Sequence, residues 1–302
     1  MTLEQLRIFV AVAEQEHVTR AAEALNLTQS ATSAAVSALE ARHGIRLFDR
    51  VGRGIRLTEA GRVFLPEARA VLARATSAER VLTDLAGLGR GSLRIAASQT
   101  LAAYWLPPLA VRFHAAYPGI ELELQPGNSE AVTREIEALQ ADLGFIEGGE
   151  ATQGLVDVPI GEDELFFVVA AEHPWVRTAP GPEDLARGPW IMREKGSGTR
   201  ERMDQALAEI GIAAPGRCLE LRSNEAVRAA VLAGGGATLL SRLVVGADLD
   251  AGRLARLPGP PAARRFRLLR HPERHLTAAA RAFLRLALPE IDPSLGQRGP
   301  AA

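Results

Sequence analysis

The spacing of apolar residues changes at one place in this chain, near residue 90. Before that point apolar residues recur three and four positions apart, which is the spacing of helices that each bury one face. From residue 92 onward, short apolar runs alternate with helical segments, a pattern typical of parallel sheets covered by helices. Three glycines between residues 87 and 91 mark the change. A chain of 302 residues with two such patterns is predicted to form an all-α N-terminal domain and a larger α/β domain.

The first 60 residues predict helices followed by a two-stranded hairpin. Helical spacing covers residues 3–15, 18–25 and 28–42. Thr28 follows a break at Asn26 and Leu27, and its hydroxyl can cap the third helix by accepting a free backbone N–H. Two extended segments, 47–48 and 55–57, are joined by a turn that contains two glycines. Helix, helix, tight turn, helix and a two-stranded wing is the order of a winged helix-turn-helix.

A helix-turn-helix places the start of its second helix in the major groove of DNA. The polar residues there are the candidates for base contacts: Thr28, Gln29, Ser30, Thr32 and Ser33. Gln can pair with both polar atoms of an adenine edge, whereas Ser and Thr can contact bases or phosphates. The net charge is −1, so attraction to DNA must come from a local patch. We expect it from the wing, where three arginines would contact phosphates or the minor groove: Arg50, Arg53 and Arg56.

One long helix is predicted from residue 59 to about residue 86, and its apolar residues follow a heptad pattern. They are spaced alternately four and three positions apart: Phe64, Ala68, Val71, Ala75, Ala78, Leu82 and Leu85. A stripe only two positions wide per heptad favours packing against the same helix of a second subunit. The alternative is that this helix lies on its own domain. The pattern therefore predicts a homo-oligomer held together by this helix.

Taken as whole motifs, residues 3–65 resemble the LysR family of bacterial transcription regulators. The matching segments are Leu6-Arg7-Ile8-Phe9, Thr19-Arg20-Ala21-Ala22-Glu23-Ala24-Leu25, Leu27-Thr28-Gln29-Ser30, Ala38-Leu39-Glu40, Leu47-Phe48-Asp49-Arg50 and Leu57-Thr58-Glu59-Ala60-Gly61. A looser resemblance continues to about residue 290. Two departures lie in the third helix, the one expected in the DNA groove. The family commonly has Pro where this chain has Ser30, and a long polar residue near Ala34 and Ala35. The helix-turn-helix assignment does not depend on these positions, whereas the operator sequence does.

The resemblance implies the rest of the architecture and a function. The implied domains are a winged helix-turn-helix at 1–60, a linker and dimerisation helix at 59–88, and a two-lobed, periplasmic-binding-protein-like effector domain at 91–302. Lobe one would comprise about 91–162 and 266–302, and lobe two about 163–265. Such a protein would bind double-stranded operator DNA as a homodimer or homotetramer and would regulate transcription in response to a small effector.

Polar residues cluster just after the predicted strands of the α/β domain, where ligands of open α/β sheets bind. The candidates are Ser98, Gln99, Thr100, Asn128, Glu147, Ser197, Gly198 and Thr199. Several of them open a predicted helix, and the free N–H groups at helix starts favour anions. The pattern therefore predicts a small anionic effector between the lobes, held in part by Thr100 and Thr199. The alternative for each position is an ordinary helix cap, because Ser, Thr and Asn are favoured there.

Other features narrow the class of protein. Cys218 is the only cysteine, so no internal disulfide can form, and we expect its side chain in the core. The sequence has no run of about 18 apolar residues and no signal-peptide pattern, which predicts a cytoplasmic protein without a membrane span. It shows no metal cluster, cofactor loop or nucleophile–base set, so neither a cofactor nor enzymatic activity is expected. Two alternatives stay open: a solute-binding protein of a transporter and a small-molecule enzyme, both using the α/β domain.

Overall fold

The computed structural model of the chain describes residues 1–51, 54–85, 91–149, 152–212, 215–259 and 261–290. Its internal contacts divide the chain into two units, Met1–Leu82 and Thr83–Ala302. Each unit has its own hydrophobic core. Within the described ranges, no helix is long and apolar enough to cross a membrane.

The first unit combines α-helices with a β-hairpin. Its elements are α1 (Leu3–Gln15), α2 (Val18–Ala24), α3 (Gln29–His43), β1 (Phe48–Val51), β2 (Gly54–Leu57) and α4 (Glu59–Leu85). Thr2 begins α1 through a capping box with Gln5, and Thr28 begins α3 by accepting a hydrogen bond from the Ala31 N–H. Gly44 follows α3 with a φ of +66°, in the left-handed region that favours glycine. The order of elements predicted from the sequence is confirmed.

A single cluster of apolar side chains joins α1, α3, α4 and the hairpin. Its buried members are Leu6, Phe9, Leu39, Leu47 and Ala68. The ring of Phe9 packs against those of Phe48 and Phe64, with centroids 5.4 and 5.0 Å away. A Cβ at Gly61 would lie 2.2 Å from the carbonyl oxygen of Leu47, so glycine is required where α4 passes the hairpin. The start of α4 is therefore an integral part of this unit.

The second unit is an α/β structure. Its strands are β3 (Gly91–Ser98), β4 (Ile120–Gly127), β5 (Leu143–Glu147), β6 (Val156–Ala170), β7 (Pro189–Arg193), β8 (Arg217–Leu221), β9 (Thr238–Ser241), β10 (Leu254–Arg256) and β11 (Ala262–Arg270). Its α-helices are α5 (Leu106–Ala116), α6 (Ser129–Glu137), α7 (Pro174–Arg177), α8 (Pro182–Arg187), α9 (Gly198–Glu209), α10 (Asn224–Leu232), α11 (Arg242–Asp250) and α12 (Ala278–Ala287). A π-helical segment, Leu101–Trp105, leads directly into α5.

The described strands of this unit form a main sheet in the order β10-β6-β11-β5-β3-β4, with β9 also paired to β6. β3 runs parallel to β4 and β5, whereas β6 and β11 form a long antiparallel pair from Leu165↔Ala262 to Val156↔Arg270. β7 and β8 form a separate parallel pair. The pair β6–β11 thus connects a first part, made of β3–β5 with α5, α6 and α12, to a second part, made of β7–β10 with α8–α11.

Each part has its own apolar layers. In the first part, Phe113, Phe145 and Phe283 pack together beneath the sheet. In the second part, successive residues of β6 point to opposite faces, so that Leu165 and Val169 enter one layer and Phe166 and Val168 the other. β6 is therefore covered on both faces over this stretch.

The structure corrects several sequence predictions. The apolar runs at 156–160 and 165–171 predict two strands, but these residues form the single strand β6 paired with β11. The short helices α7, α8 and α11 and strand β10 were not predicted. Cys218, predicted to lie in the core, is exposed, because β8 pairs on one side only and its first four residues face solvent. Burial of part of the side chain raises the pKa of the Cys218 thiol.

Candidate nucleic-acid interface and effector site

The start of α3 presents four of the five predicted base-contacting side chains to solvent. Thr28, Gln29, Ser30 and Ser33 are all exposed. The hydroxyl of Thr28 caps the helix and lies 3.1 Å from the hydroxyl of Ser30. These positions occupy the helix end that enters the major groove in a helix-turn-helix protein. The geometry therefore leaves this polar surface free for an external partner.

The prediction that Thr32 contacts DNA is wrong. Its side chain is 0% exposed, because residues 32, 36 and 39 share one face of α3 and that face packs against the core. The Thr32 hydroxyl is buried and has no hydrogen-bond partner within the described residues. Helical spacing alone would have placed Thr32 beside Val36 and Leu39.

The wing carries arginines whose charge is not neutralised locally. Arg50 lies opposite Ile55 and Arg56 lies opposite Asp49 in the antiparallel pair β1–β2. Both arginines are exposed, and neither forms an ion pair in the part of the chain that the structure describes. The third predicted phosphate contact, Arg53, lies outside the described residues. Exposed guanidinium groups of this kind are suited to phosphate contacts.

The heptad stripe of α4 begins inside the first unit. Phe64 is half-buried and Ala68 is 0% exposed, and both pack in the cluster around Phe9. Their assignment to a dimer seam is therefore wrong. The reason is that α4 starts against the hairpin and must use its first apolar positions to close the core of its own unit.

The remainder of the stripe is more open. Val71 is 43% exposed and Leu82 is 70% exposed. Ala78 is exposed and Ala75 is half-buried, while the side chain of Leu85 lies outside the described residues. Exposed apolar side chains at heptad spacing are typical of a helix that packs against a partner helix. This stretch of α4 remains the predicted seam.

Glu147 lies at the centre of the predicted effector residues. It ends β5, and its side chain is 3% exposed. Its Oε1 accepts hydrogen bonds from the Ser98 hydroxyl and the Thr100 N–H, both at 2.9 Å. Its Oε2 accepts a hydrogen bond from Arg264 and a longer one, at 3.4 Å, from the Thr199 hydroxyl. Residues predicted from three separate strand ends thus converge on one buried carboxylate.

Two residues that are not among the sequence-predicted candidates, Arg264 and Asp163, complete this network. Nε and Nη2 of Arg264 donate to Oδ2 of Asp163 at 2.9 and 2.6 Å. The same guanidinium donates to the Thr100 and Thr199 hydroxyls at 3.2 and 2.9 Å. Burial raises the pKa of Asp163, and the charge of Arg264 offsets only part of that effect. One buried guanidinium therefore serves two buried carboxylates.

Direct hydrogen bonds also join the first and second parts on either side of this network. Gln99 donates to the Arg222 carbonyl at 2.8 Å and accepts from the Asn224 N–H at 3.0 Å. The Asn224 amide also donates to the Thr100 hydroxyl at 3.0 Å. Elsewhere, the Asn128 amide donates to Glu194 at 3.1 Å. The structure therefore places the predicted residues at the junction of the two parts.

Helix capping, the alternative role for the predicted effector residues, accounts for the side chains at only some of these positions. Asn128 caps α6 by accepting a hydrogen bond from the Ala131 N–H. Thr100 and Ser197 stand at N-cap positions, but neither side chain makes a capping bond. Gly198 is required for another reason, since a Cβ there would lie 2.0 Å from the Glu147 carbonyl oxygen. Capping therefore does not account for the buried positions around Glu147.

A cavity of about 550 Å³ adjoins this junction between the starts of α6 and α9. Its lining includes Ser129, Thr133, Glu147, Gly148, Lys195 and Ser197. Lys195 is exposed at its rim. Glu130, Glu201 and Asp204 also line the cavity. Its lining therefore contains acidic residues as well as the basic residue Lys195. The volume is that of a small-molecule site.

Comparison with known proteins gives matches over both units. The family of bacterial regulatory helix-turn-helix proteins of the lysR type matches residues 3–62, and the LysR substrate binding domain matches residues 86–291. The HTH-type transcriptional regulator YeiE of Escherichia coli (strain K12) is 38% identical over 286 residues, which cover 94% of this chain and 96% of that protein. CbbR of Rhodospirillum rubrum is 37% identical over 284 residues, covering 93% and 94%.

Solved structures give the same picture of the fold. Full-length CbnR, in a crystal structure of its complex with the target DNA, has a TM-score of 0.68 at 23% identity and covers 95% of this chain and 99% of that one. The regulatory domain of CcmR from Synechocystis PCC6803, in complex with 2-PG, has a TM-score of 0.59 at 27% identity and covers 66% and 97%. The relatives matched in sequence are regulators, which sets aside the transport-protein and enzyme alternatives. The chain belongs to the LysR family of bacterial transcription regulators.

Proposed function

We propose that this LysR-type regulator binds operator DNA sequence-specifically as a homodimer or homotetramer, under control of a small anionic effector held between two lobes. The observation that carries the DNA-binding role is the exposed polar start of α3. Gln29, Ser30 and Ser33 project there, while Arg50 and Arg56, which form no ion pair with any residue the structure describes, supply positive charge on the wing. The first set is suited to reading base edges and the second to phosphate contacts.

The exposed stretch of α4 supports assembly through that helix. Val71, Ala78 and Leu82 are exposed apolar residues on one heptad stripe. Pairing of this stripe between two subunits would bring two copies of α3 to successive half-sites on DNA. An operator with approximate dyad symmetry follows from that arrangement.

The junction around Glu147 supports the effector site. The proposed lobes, about 91–162 with 266–302 and about 163–265, would each contribute hydrogen-bond donors to it. The cavity of about 550 Å³ beside the starts of α6 and α9 offers room for a small ligand, and helix starts favour anions. The complex of the CcmR domain with 2-PG shows a small ligand bound by a relative of similar fold. Control of DNA binding requires that the effector bind one arrangement of the lobes better than another.

Fluorescence anisotropy with the full chain tests the regulator. The probes would be a labelled duplex from upstream of its own gene and a scrambled duplex, each titrated at several salt concentrations. We expect specific binding to exceed non-specific binding by about 1,000-fold or more at physiological salt. Equal affinity for both duplexes would contradict sequence-specific regulation.

Calorimetric titration of the full chain with sulfate, phosphate and short carboxylates tests the effector class. Thr199→Val keeps the side-chain volume and removes a hydroxyl of the junction, so it should lose about 1.5–3 kcal/mol of affinity for a charged ligand bonded there. Thr178→Val, at an exposed position of the second unit, is the matched control. No binding of any of these anions, or unchanged binding by Thr199→Val, would contradict the anionic effector.

A further inference from the structure

The Glu147 carboxylate already occupies the position where an anion would be held. Its four hydrogen-bond donors are the Ser98 hydroxyl, the Thr100 N–H, the Thr199 hydroxyl and Arg264. They come from three separate segments of the chain, because Ser98 and Thr100 both lie at or just after the end of β3. A backbone N–H carries one hydrogen, and that of Thr100 is already donated to Glu147. A second anion cannot use the same donor at the same time.

From this geometry we infer that Glu147 is an internal competitor of the effector, and that the effector's anionic group replaces the Glu147 carboxylate on these donors. The inference rests on the proposed effector site and specifies how that site selects its ligand. A ligand that exchanges with a carboxylate must offer at least two oxygen acceptors on one anionic centre. Carboxylates and oxyanions of sulfur or phosphorus meet this requirement, and neutral or cationic molecules do not.

The charge of the network favours exchange over simple addition. Glu147, Asp163 and Arg264 are 3%, 7% and 4% exposed, and the two carboxylates share one guanidinium. A third anion beside them would be buried without a new cation, which is strongly unfavourable. Burial raises the pKa of Asp163, and the nearby Glu147 carboxylate adds to this effect, so the site is unfavourable for further negative charge. If Glu147 leaves as the effector arrives, the buried charge is unchanged.

The backbone and the cavity allow Glu147 to leave. Gly148 and Gly149 follow it directly with φ values of +67° and +78°, in the region that favours glycine, so no Cβ crowds the chain where it turns after β5. The cavity of about 550 Å³ is lined by Glu147, Gly148 and Gly149 themselves. The cavity therefore lies beside the end of β5, and we expect a displaced carboxylate to be hydrated there.

Exchange would also change the connection between the two parts of the second unit. Glu147 belongs to β5 of the first part, whereas Thr199 lies in the first turn of α9 of the second part. The carboxylate therefore links the two parts through a tethered side chain, and an untethered anion would hold the same donors without that link. Such a difference between the free and the occupied states is what an effector needs in order to shift a conformational equilibrium.

Two variants of the full chain test the exchange. Glu147→Gln keeps the shape of the side chain and removes its charge. The side chain at position 147 then competes less strongly with an external anion for the four donors. Calorimetric titration with sulfate and phosphate should show binding tighter by about tenfold or more than in the parent, as expected when a charged hydrogen-bond competitor is removed. Glu123→Gln, which removes an exposed carboxylate paired with Arg94 on the main sheet, should leave the affinity unchanged. Equal or weaker binding by Glu147→Gln would overturn the inference.

Glu147→Ala provides an independent measurement by chemical rescue. The thermal midpoint of this variant should fall, and acetate should raise it again in a saturable way, because the external carboxylate fills the vacated donors. The parent and Glu123→Ala keep the Glu147 carboxylate as a competitor, so they should need an acetate concentration about tenfold or more higher for the same rise when chloride is used to match ionic strength. An equal response of all three proteins to acetate, or no response of Glu147→Ala, would overturn the inference.

The outcomes separate this inference from the proposed function. If the parent binds an anion and Thr199→Val weakens that binding, while the Glu147 variants gain nothing, the effector site stands and the exchange fails. If no protein, including both Glu147 variants, binds any of the anions, the exchange and the anionic class fail together. Specific binding to promoter DNA would still identify the regulator in that case.

Discussion

The two units hold their functional polar residues in opposite ways. At the start of α3, Gln29, Ser30 and Ser33 are exposed, and the wing residues Arg50 and Arg56 have no ion pair within the described residues. Around Glu147, in contrast, Ser98, Thr100 and Thr199 are buried and hydrogen-bonded to Glu147 or Arg264. The polar groups at the start of α3 are therefore open to an external partner. The hydrogen-bond donors around Glu147 are already bonded within the protein.

This difference teaches what each site can do when its partner arrives. A surface whose polar groups are already exposed gains hydrogen bonds and releases counterions when DNA binds, with little rearrangement of the protein. A site whose donors are engaged must break internal bonds before it forms new ones. Binding there is linked to a change of the protein's own structure, which is the property required of a regulatory site. The predictions below test the two sides of this comparison.

The largest effect is expected from removal of the cation at the buried site. Arg264→Met would leave Glu147 and Asp163 buried without their shared guanidinium. The free energy of unfolding should fall by about 3–5 kcal/mol, because an uncompensated buried charge is much less stable than a paired one. Urea denaturation of the full chain at neutral pH would measure the loss.

The neighbouring arginine is the control for this change. Arg265→Met alters an exposed side chain that follows Arg264 directly in β11, and it should change the free energy of unfolding by less than about 0.5 kcal/mol. Similar results for both variants would mean that the network around Glu147 contributes little, and the contrast between the two units would lose its physical basis.

The next effect concerns the exposed stretch of α4. Val71→Asp and Leu82→Asp place a carboxylate where the partner helix is expected, and each should cost on the order of 3 kcal/mol of association free energy through desolvation of the charge. Light scattering over a range of protein concentrations should show a smaller species. Val63→Asp, at a position of α4 that is 64% exposed but off the stripe, is the matched control. If the two stripe variants keep the parent's mass, assembly uses another surface.

A smaller effect is expected at the DNA surface. Gln29→Ala should lose about 1–3 kcal/mol of specific affinity if Gln29 pairs with a base edge, and sequence preference should relax at that base pair. Because Gln29 is exposed and not required for capping, the stability of the protein should be unchanged. Anisotropy with the cognate duplex and with single-base variants measures this. Parent-like discrimination at every position would exclude a base contact by Gln29.

Arg56→Ala should behave differently from Gln29→Ala. The loss of one phosphate contact weakens binding to all duplexes alike, and the slope of log affinity against log salt should decrease by about one unit. A sequence-dependent loss with an unchanged salt slope would instead place Arg56 at a base edge.

Comparison of these sites shows what the sequence could and could not predict. Ser98, Thr100 and Thr199 were found because strand ends in α/β folds mark binding sites, and the structure brings them to one carboxylate. Arg264 and Asp163 are 101 positions apart, and their pairing depends on the register of β6 against β11. Nothing local fixes that register. The apolar runs at 156–160 and 165–171 therefore predict two strands, and Asp163, between them, gives no local sign of its buried partner.

The smallest expected effects concern Thr28 and Thr32, which lie four positions apart at the start of α3. Their substitutions should change the free energy of unfolding in opposite directions. The Thr32 hydroxyl is buried without a hydrogen bond among the described residues, so Thr32→Val should raise the free energy of unfolding, by up to about 1 kcal/mol. The Thr28 hydroxyl caps α3, so Thr28→Val should lower the free energy of unfolding by about 1 kcal/mol.

In addition, Thr32→Val should leave DNA affinity unchanged, since this side chain faces the core of its own unit. Urea denaturation and anisotropy on the same preparations separate the two quantities. A loss of stability in Thr32→Val would show that its hydroxyl has a partner, such as an ordered water. A loss of DNA affinity would show that α3 turns this residue toward DNA on binding.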